Sequence, residues 1–533
     1  DFETRNRYRS EIEELALHSA ATEAEVAAAA VSLAAEAGRQ HAVQLPPLQS
    51  TSEGAKDYPG LQLMLPPNGH VGYYLIDAGR RQLETQLNYR APIGTAARRW
   101  VLDHPTLVYL APITLITLLV LLLGSSYARA AGANWLELLV VNLLAAVPAI
   151  TIGVMLTDLA LPHFLPPRTL PKLSFIEGIP LQCSTLVVIP GLIGGTAGID
   201  DLFDQLEQHY LRNPDPALRF ALLTDFGDAQ AETMPEDADL LVYAQEKLAA
   251  LNARYAHRPF YFLHRRRLWN SAQGVWMGWE RKRGKLHELN RLLRGAEDTS
   301  FARIDGERAA LRAIRYVITL DADTILPRDG AARLVGTLAH PLNVAQFDAP
   351  CGRVAGGYTV LQPRVEIKPT SAERSLFAHV FAGDTGLDLY TLAVSDTYQD
   401  LFGAGIYIGK GIYDVDAFER SLDGRVPDNT LLSHDLFEGI HGRAGLVTDV
   451  VVYEDYPPNY LVDVRRAHRW VRGDWQLLPW LLPRTPRVVG RQVTSAPNDL
   501  RLMIKLGKSG VSQEIGKSAA NLTLADDYEP PRR

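Results

Sequence analysis

The sequence predicts an α/β fold: a mostly parallel sheet covered by helices, joined to a transmembrane helix hairpin and an N-terminal helical region. Apolar strands alternate with helical stretches from residue 174 onwards, which is typical of a parallel sheet. Two long segments within residues 105–161 carry no charge, and the N-terminal stretch is rich in Ala and Glu. With 533 residues, the chain is long enough for more than one domain.

The composition narrows the range of partners. The sequence is 47% hydrophobic and 22% charged, which is ordinary for a globular protein. Its net charge of −7 argues against general nucleic-acid binding, because such binding usually needs a broad basic face. The sequence has two cysteines, Cys183 and Cys351. Free thiols in a reducing compartment are therefore a simpler expectation than a disulfide scaffold.

Residues 1–67 are predicted to form an N-terminal helical region and a linker. The stretch from Arg9 to Arg39 contains good helix formers and no Pro, which predicts one or two solvated helices. Pro and Gly interrupt residues 45–67, as in a linker. Residues 68–104 then read as an amphipathic juxtamembrane segment, with one short helix over Val71 to Tyr89.

Residues 105–161 are predicted to hold two transmembrane helices. Pro105 to Ala128 and Leu138 to Thr157 are uncharged and rich in aliphatic side chains. At about 1.5 Å per residue, each is long enough for a hydrocarbon core of about 30 Å. The alternative is a pair of buried core helices, which rarely need such length.

The basic residues around these spans predict their orientation. The outer flanks carry Arg90, Arg98, Arg99, Arg168 and Lys172. The connecting loop contains only Arg129. We therefore expect both outer flanks, and the large domain over residues 174–482, on the cytoplasmic side of the bilayer.

The domain over residues 174–482 shows a regular alternation of elements. Predicted strands cover Leu186–Pro190, Arg219–Asp225, Phe260–His264 and Tyr316–Leu320, and predicted helices cover Gly198–Leu211 and Glu236–Arg254. Such alternation predicts a mostly parallel sheet whose ligands bind beyond the carboxyl ends of the strands.

Three acids follow strands of this sheet. Asp321 and Asp323 close the strand that starts at Tyr316, and their hard oxygen atoms suit Mg²⁺ or Mn²⁺ bridging a diphosphate. Asp225 ends another strand and could accept hydrogen bonds from a base or a ribose. The alternatives are a solvated turn for the first two acids and a turn-capping carboxylate for Asp225.

Two further residues are candidates for the chemistry of group transfer. Lys282 stands beside Gly284, where the backbone could approach a phosphate, although a basic run is usually a solvated face. Asp435 is the candidate general base, which would remove a proton from an acceptor. It could instead be an N-terminal helix residue that interacts with the macrodipole, and His434 beside it could be its partner or a packing residue.

A run of basic and aromatic residues follows from Arg465. Within it, Arg466 and Arg469 could bind a diphosphate through the guanidinium fork, and Trp470 could cover a sugar ring. The alternative is an interfacial amphipathic helix near lipid headgroups. Residues 483–533 are predicted to be a tail, either a linker or a trimmed region, and the polar stretch from Lys505 to Arg533 is expected to be linker or flexible.

These motifs together resemble a known family. Asp225, Asp321-Ala-Asp323, Asp435 and Arg466-Ala-His-Arg-Trp470 look like the D, DxD, D, QxxRW set of processive inverting GT-A glycosyltransferases, such as cellulose and hyaluronan synthases. Longer motifs resemble the glycosyltransferase region of bacterial cyclic β-1,2-glucan synthases over about His70 to Leu482. They are His70–Asp77, Gly274–Lys285, Gly409–Phe418 and Arg472–Trp480.

The resemblance implies a GT-A fold, UDP-glucose as donor, a divalent metal, and a growing β-1,2-linked glucan at the inner membrane. It also implies priming on the protein, later ring closure, further spans and a phosphorylase-like region of the full-length protein. A linear-glucan synthase of the cellulose or hyaluronan type is one alternative, and a non-catalytic membrane scaffold with a transferase fold is another.

The roles of individual residues follow from the same resemblance. Asp225 matches the uridine-side acid, Asp321 and Asp323 the metal motif, and Asp435 the base. Lys282 matches the lysine that meets the diphosphate. The QxxRW position corresponds to Arg466, Arg469 and Trp470, and Arg466 replaces the Gln of that motif.

Overall fold

The structure is a computed structural model that describes residues 1–44, 66–348, 352–382, 396–431, 434–489 and 492–498. Most of the predicted linker, residues 45–65, lies outside these residues, as do Cys351 and residues 499–533 of the predicted tail. The chain divides into two compact units. One contains residues 1–90, 169–385 and 406–499, and the other contains residues 91–168, 386–405 and 500–533.

The helices and strands are numbered in chain order. The helices are α1 Phe2–Leu17, α2 Glu23–Gln44, α3 Val71–Ile76, α4 Arg80–Leu87, α5 Ile93–Asp103, α6 Pro105–Ala130, α7 Trp135–Phe164, α8 Thr196–Arg212, α9 Asp237–Ala253, α10 Arg281–Leu293, α11 Arg308–Leu311, α12 Gly330–Leu338, α13 Pro369–Ala372, α14 Leu376–Ala382, α15 Thr397–Phe402, α16 Val415–Leu422, α17 Asp435–Gly442 and α18 Tyr460–Gln476. The strands are β1 Thr185–Ile193, β2 Leu218–Phe226, β3 Phe260–Arg265, β4 Leu268–Asn270, β5 Val275–Met277, β6 Phe301–Asp305, β7 Tyr316–Thr319, β8 Gln346–Asp348, β9 Arg353–Gly356, β10 Val360–Ile367, β11 Gly411–Asp414, β12 Gly445–Glu454, β13 Arg484–Val489 and β14 Gln492–Pro497.

The centre of the first unit is an eight-stranded sheet in the order β12-β10-β11-β7-β1-β2-β3-β6. The neighbours β7-β1, β1-β2, β2-β3 and β10-β12 are parallel, and the other three pairings are antiparallel. The predicted mixed α/β architecture with a largely parallel sheet is confirmed. In the register of β1 with β2, Leu192 lies opposite Asp225, so that acid stands at the carboxyl edge of the parallel strands.

Helices cover both faces of this sheet, because the strands are apolar on both sides. On β1, Val187 and Ile189 face a core that includes residues of α8, α9 and α12. Leu186 and Val188 face the opposite core, which includes residues of α10 and α16. Because helices cover both faces of the sheet, polar side chains of the strands can reach solvent mainly at the strand ends.

The N-terminal helices form a small core of their own. Leu15 of α1 and Val26 of α2 are buried together with Tyr74 of α3 and Leu83 of α4. The prediction of one helix over Val71 to Tyr89 is wrong: the chain breaks between α3 and α4. The break lets the two short helices turn their apolar side chains toward the same core.

The second unit contains the two apolar helices α6 and α7, which lie antiparallel. A Cβ on Gly153 would come within 2.9 Å of the carbonyl oxygen of Ile113, so the helices are in close contact there. Asn142 donates a hydrogen bond to Ser125 at 2.8 Å. In the apolar 18-residue stretch of each helix only 11% of the residues are buried, whereas most residues of a core helix would be buried. Both helices are long and apolar enough to cross a bilayer.

Part of the predicted tail is structured. Strands β13 and β14 pair as an antiparallel hairpin, and the backbone N–H of Val488 donates to the carbonyl of Gly424 at 2.8 Å. The prediction of a linker from residue 483 is therefore wrong for this stretch. Its β-branched residues form a two-stranded ribbon that is too short to give a clear sequence period.

Candidate active site

A cluster of charged side chains lies at the carboxyl edge of the sheet in the first unit. Asp225 ends β2 and Asp321 follows β7, two strands that flank β1 in parallel register. Lys282 enters from the first turn of α10, and Asp435 begins α17. The expectation that the acids of different strands share one edge is confirmed by this topology.

Asp225 is buried and fully engaged in ion pairs. Arg265 holds it with two hydrogen bonds, from Nε to Oδ1 at 2.8 Å and from Nη2 to Oδ2 at 2.9 Å. Lys285 Nζ lies 3.1 Å from Oδ2. Burial raises the pKa of Asp225, but Lys285 and Arg265 outweigh it, so the net shift is downward and the carboxylate stays ionised. A turn-capping role does not describe this residue.

Arg265 is the centre of this buried network, and sequence reasoning missed it. Its guanidinium also pairs with Glu288 at 2.9 Å and donates to the carbonyl oxygen of Trp279 at 3.0 Å. The side chain is completely buried. The only sequence signal was its place at the end of β3, within a basic run that reads like a solvated turn.

Asp321 lies between two lysines. Lys282 Nζ donates to its Oδ1 at 2.5 Å, and Lys410 Nζ lies 3.2 Å from its Oδ2. Burial raises the pKa of Asp321, but the two lysines outweigh it, so the pKa lies below its usual range. Lys282 thus lies beside the DxD motif and not on a solvated face, and its contact with a diphosphate stays a prediction.

The register of β11 explains why Lys410 reaches this point. Strand β11 runs antiparallel to β7 with Gly411 opposite Thr319, so the residue before β11 lies beside the residues that follow β7. Lys410 also forms an ion pair with Glu454, at the end of β12. Both residues were missed as site residues, although Lys410 stands in one of the long motifs.

Asp323 completes a group of three carboxylates. It is exposed, and its pKa is raised by partial desolvation and then by repulsion from Glu454. Glu454 accepts a hydrogen bond from Thr324 Oγ1 at 3.0 Å. Lys368 Nζ donates a hydrogen bond to the backbone carbonyl of Asp323 at 2.9 Å. Carboxylate oxygens are the hard ligands that Mg²⁺ and Mn²⁺ prefer, and the metal role of Asp321 and Asp323 stays a prediction.

Asp435 is the first residue of α17, and 30% of its side chain is exposed. A Cβ on Gly409, whose φ is +83°, would lie only 2.5 Å from Asp435 Oδ1. The carbonyl oxygen of the same glycine accepts a hydrogen bond from Lys282 at 2.8 Å. Lys282 therefore links Asp321 to the backbone behind Asp435, and the two acids belong to one continuous site.

His434 and Glu438 accompany Asp435. His434 Nε2 lies 3.5 Å from Asp435 Oδ1 and 3.9 Å from a carboxylate oxygen of Glu438. His434 and Glu438 are only 7% and 5% exposed. His434 is thus a neighbour of two carboxylates and not an ordinary packing histidine.

The basic aromatic run forms helix α18. Arg466 lies over the ring of Trp470 at 4.7 Å and over that of Tyr456 at 5.4 Å, and it donates to Asp463 at 2.9 Å. Arg469 and Trp470 are exposed. These contacts of Arg466 are all local to α18 and the residues just before it, and its predicted diphosphate role remains a prediction.

The sequence matches no family model. It is similar to the cyclic beta-(1,2)-glucan synthase NdvB of Rhizobium meliloti (strain 1021), with 42% identity over 485 residues. This match covers 90% of the chain but only 16% of the relative. It confirms the resemblance to a region of a cyclic β-1,2-glucan synthase.

Proposed function

We propose that the chain, as a homologue of a region of a cyclic β-(1,2)-glucan synthase, transfers glucose from UDP-glucose to a growing β-1,2-glucan with inversion. The observation that carries the proposal is the chain of contacts through Lys282. This lysine contacts Asp321 at 2.5 Å and the carbonyl of Gly409 at 2.8 Å, and Gly409 backs Asp435. A diphosphate-binding group and a candidate base thus share one site.

In the proposed reaction an acceptor hydroxyl attacks the anomeric carbon of glucose. Its oxygen bonds to that carbon while the bond from the carbon to the UDP oxygen breaks, and the electron pair leaves with UDP. The hydroxyl proton passes to the carboxylate of Asp435. A single displacement of this kind inverts the anomeric configuration and requires one base and no covalent nucleophile.

The remaining residues bind and orient the donor. Asp225 would lie on the uridine side, where Arg265 and Lys285 keep it ionised and fixed. Lys282 and Lys410 place two positive charges where the diphosphate would bind, and both now pair with Asp321. These cations are fixed before the substrate arrives, which favours stabilisation of developing charge.

Asp321 and Asp323 would hold the Mg²⁺ or Mn²⁺ ion. When bound, such an ion would offset the negative charge that develops on the departing diphosphate. The type of side chain supports this choice, because carboxylate oxygens are hard ligands, and Glu454 is near enough to raise the pKa of Asp323 by repulsion. Arg466, Arg469 and Trp470 are proposed to act on the diphosphate and acceptor side.

Fold and location are proposed on the same basis. The parallel strands β7, β1, β2 and β3, with acids at their carboxyl edge, support a GT-A fold. The exposed apolar faces of α6 and α7 support a membrane hairpin, and the basic outer flanks support a cytosolic catalytic domain at a bacterial inner membrane. The chain spans 16% of its relative, and a phosphorylase-like region of the full-length protein is a proposed partner.

The test is release of UDP from labelled UDP-glucose by membranes that carry the chain, with Mn²⁺ or Mg²⁺ and then with a chelator. Metal-dependent release with label in a 1,2-linked glucan is the expected result. Label in a glucan of another linkage would contradict the β-1,2 assignment. If both the chain and the full-length protein bind UDP without metal and transfer no glucose, the proposed transferase activity is contradicted. Asp435→Asn should bind UDP and transfer no glucose.

A further inference from the structure

The beginning of α17 contains three ionisable side chains whose ligand-type atoms all lie within 4.8 Å of one another: His434, Asp435 and Glu438. The backbone explains this proximity, because the N–H of Glu438 donates to the carbonyl of His434 at 2.9 Å and brings their side chains together. His434 Nε2 and Asp435 Oδ1 have no hydrogen-bond partner among the described residues. Both atoms are inaccessible to solvent.

The cluster cannot carry two negative charges at low cost. Two carboxylates this close repel each other, and the more buried one takes up the proton. Glu438 is the more buried, and desolvation followed by the charge of Asp435 raises its pKa well above the usual range. Burial lowers the pKa of His434, so the imidazole is neutral and one of its nitrogens can donate.

Charged and titratable groups from neighbouring elements also act on the cluster. They are Glu280, Lys282, Arg283, Tyr407, Tyr413 and Glu419. The cations Lys282 and Arg283 lower the pKa of Glu438, but burial is the larger effect and acts in the opposite direction. The hydrogen bonds of Lys282 go to Asp321 and to the carbonyl of Gly409.

We propose that Glu438 holds a proton and that His434 carries its N–H at Nε2, 3.5 Å from Asp435 Oδ1, as a donor for that carboxylate, so that Asp435 is the one ionised carboxylate of the cluster and is oriented for the acceptor hydroxyl. Both are positioning residues that act through Asp435, and this inference rests on the proposed function of Asp435 as base. Gly409 closes the other side of the carboxylate. The acceptor hydroxyl would then meet a base whose charge and direction are set before it binds.

Glu438→Gln is the first variant, because an amide has the shape of a protonated carboxyl group and cannot ionise. Glucose transfer should stay within about tenfold of the parent, whereas Asp435→Asn should lose about 10²-fold or more. A loss in Glu438→Gln as large as that in Asp435→Asn would overturn the proposal, because Glu438 would then have to act in its ionised form.

His434→Phe and His434→Gln form a matched pair, since the first keeps a ring without a donor and the second keeps a donor. In His434→Phe, kcat should fall about tenfold and the acid limb of the pH profile should move to higher pH, because the carboxylate of Asp435 loses the donor that lies 3.5 Å from its Oδ1. The KM for UDP-glucose should not change. His434→Gln should restore most of kcat and the pH profile. Equal losses in both variants without a shift of the pH profile would show a merely structural role.

Infrared difference spectroscopy tests the proton on Glu438 without any turnover. At neutral pH the purified full-length protein should show a protonated-carboxyl band that Glu438→Gln removes. Absence of that band in the parent would overturn the proposal. Stoichiometric Zn²⁺ or Mn²⁺ bound to the parent and lost in His434→Gln would also overturn it. If the band is present but Asp435→Asn still transfers glucose, the proposed base is wrong and the protonation of Glu438 is nevertheless established.

Discussion

Gly409 lies directly behind the carboxylate of Asp435, and a methyl group added there has no free space. In Gly409→Ala the new Cβ would lie 2.5 Å from Asp435 Oδ1, 2.8 Å from Cγ and 3.0 Å from Oδ2. All three atoms belong to a side chain that can rotate away. The carboxylate would have to retreat by about 1 Å, and a displacement of that size at a reacting group can cost about 10²-fold in rate.

The backbone contributes a separate cost. Gly409 has a φ of +83°, a conformation that costs a residue with a Cβ about 1–2 kcal/mol. Gly295 is the matched control, because its φ is +88° and nothing lies within 4 Å of an added Cβ. Gly295→Ala should therefore lose similar stability and keep its activity.

The two variants are compared by thermal or denaturant unfolding, by UDP affinity and by the rate of glucose transfer from UDP-glucose. Gly409→Ala should match Gly295→Ala in the free energy of unfolding and in UDP affinity, and should fall about 10²-fold below it in transfer. Equal transfer rates in the two variants would refute the reasoning, because Asp435 would then not be held against Gly409 or would not be the base.

The other predictions concern the ion pairs and the aromatic helix. Lys410→Met should weaken UDP binding and cost about 3 kcal/mol of unfolding free energy, because it removes the ion pair of the largely buried Glu454. Lys247→Met, at an exposed ion pair, should change neither quantity, and equal effects of the two variants would contradict the role of burial. Arg265→Met should cost an amount similar to that of Lys410→Met, measured by denaturant unfolding, because it removes the guanidinium partner of two buried acids: Glu288 loses its ion pair, and Asp225 keeps its contact with Lys285. An unchanged midpoint would contradict this. The pKa of Asp225 is lowered below 3.8, so its ion pairs stabilise the fold above that pH, and this stability is lost as the pH falls through the folded pKa. In Asp225→Asn the free energy of unfolding should therefore fall less steeply at acid pH than in the parent. Equal slopes in the variant and the parent would contradict this reasoning. Trp470→Ala should shorten the glucan products without changing UDP affinity, and unchanged product length on sizing would argue for the interfacial-helix alternative.

The sheet and its acids were predictable because strand and helix periods are local properties of the sequence. Strands β1, β2, β3 and β7 and helices α8 and α9 lie within a few residues of their predicted bounds. The placement of Asp225 and Asp321 at one edge followed from parallel topology alone. The hairpin β13–β14 was missed because tertiary context, and not a strong local pattern, decides such a short ribbon.

The sequence by itself determined the residue types of the site and their order along the chain. Only the tertiary structure decided which charges meet. Lys410 reaches Asp321 because β11 runs antiparallel to β7, and Arg265 reaches Asp225 because β3 lies beside β2. Ion pairs between distant residues depend on strand order and register, and hydrophobic burial across the whole sheet sets both.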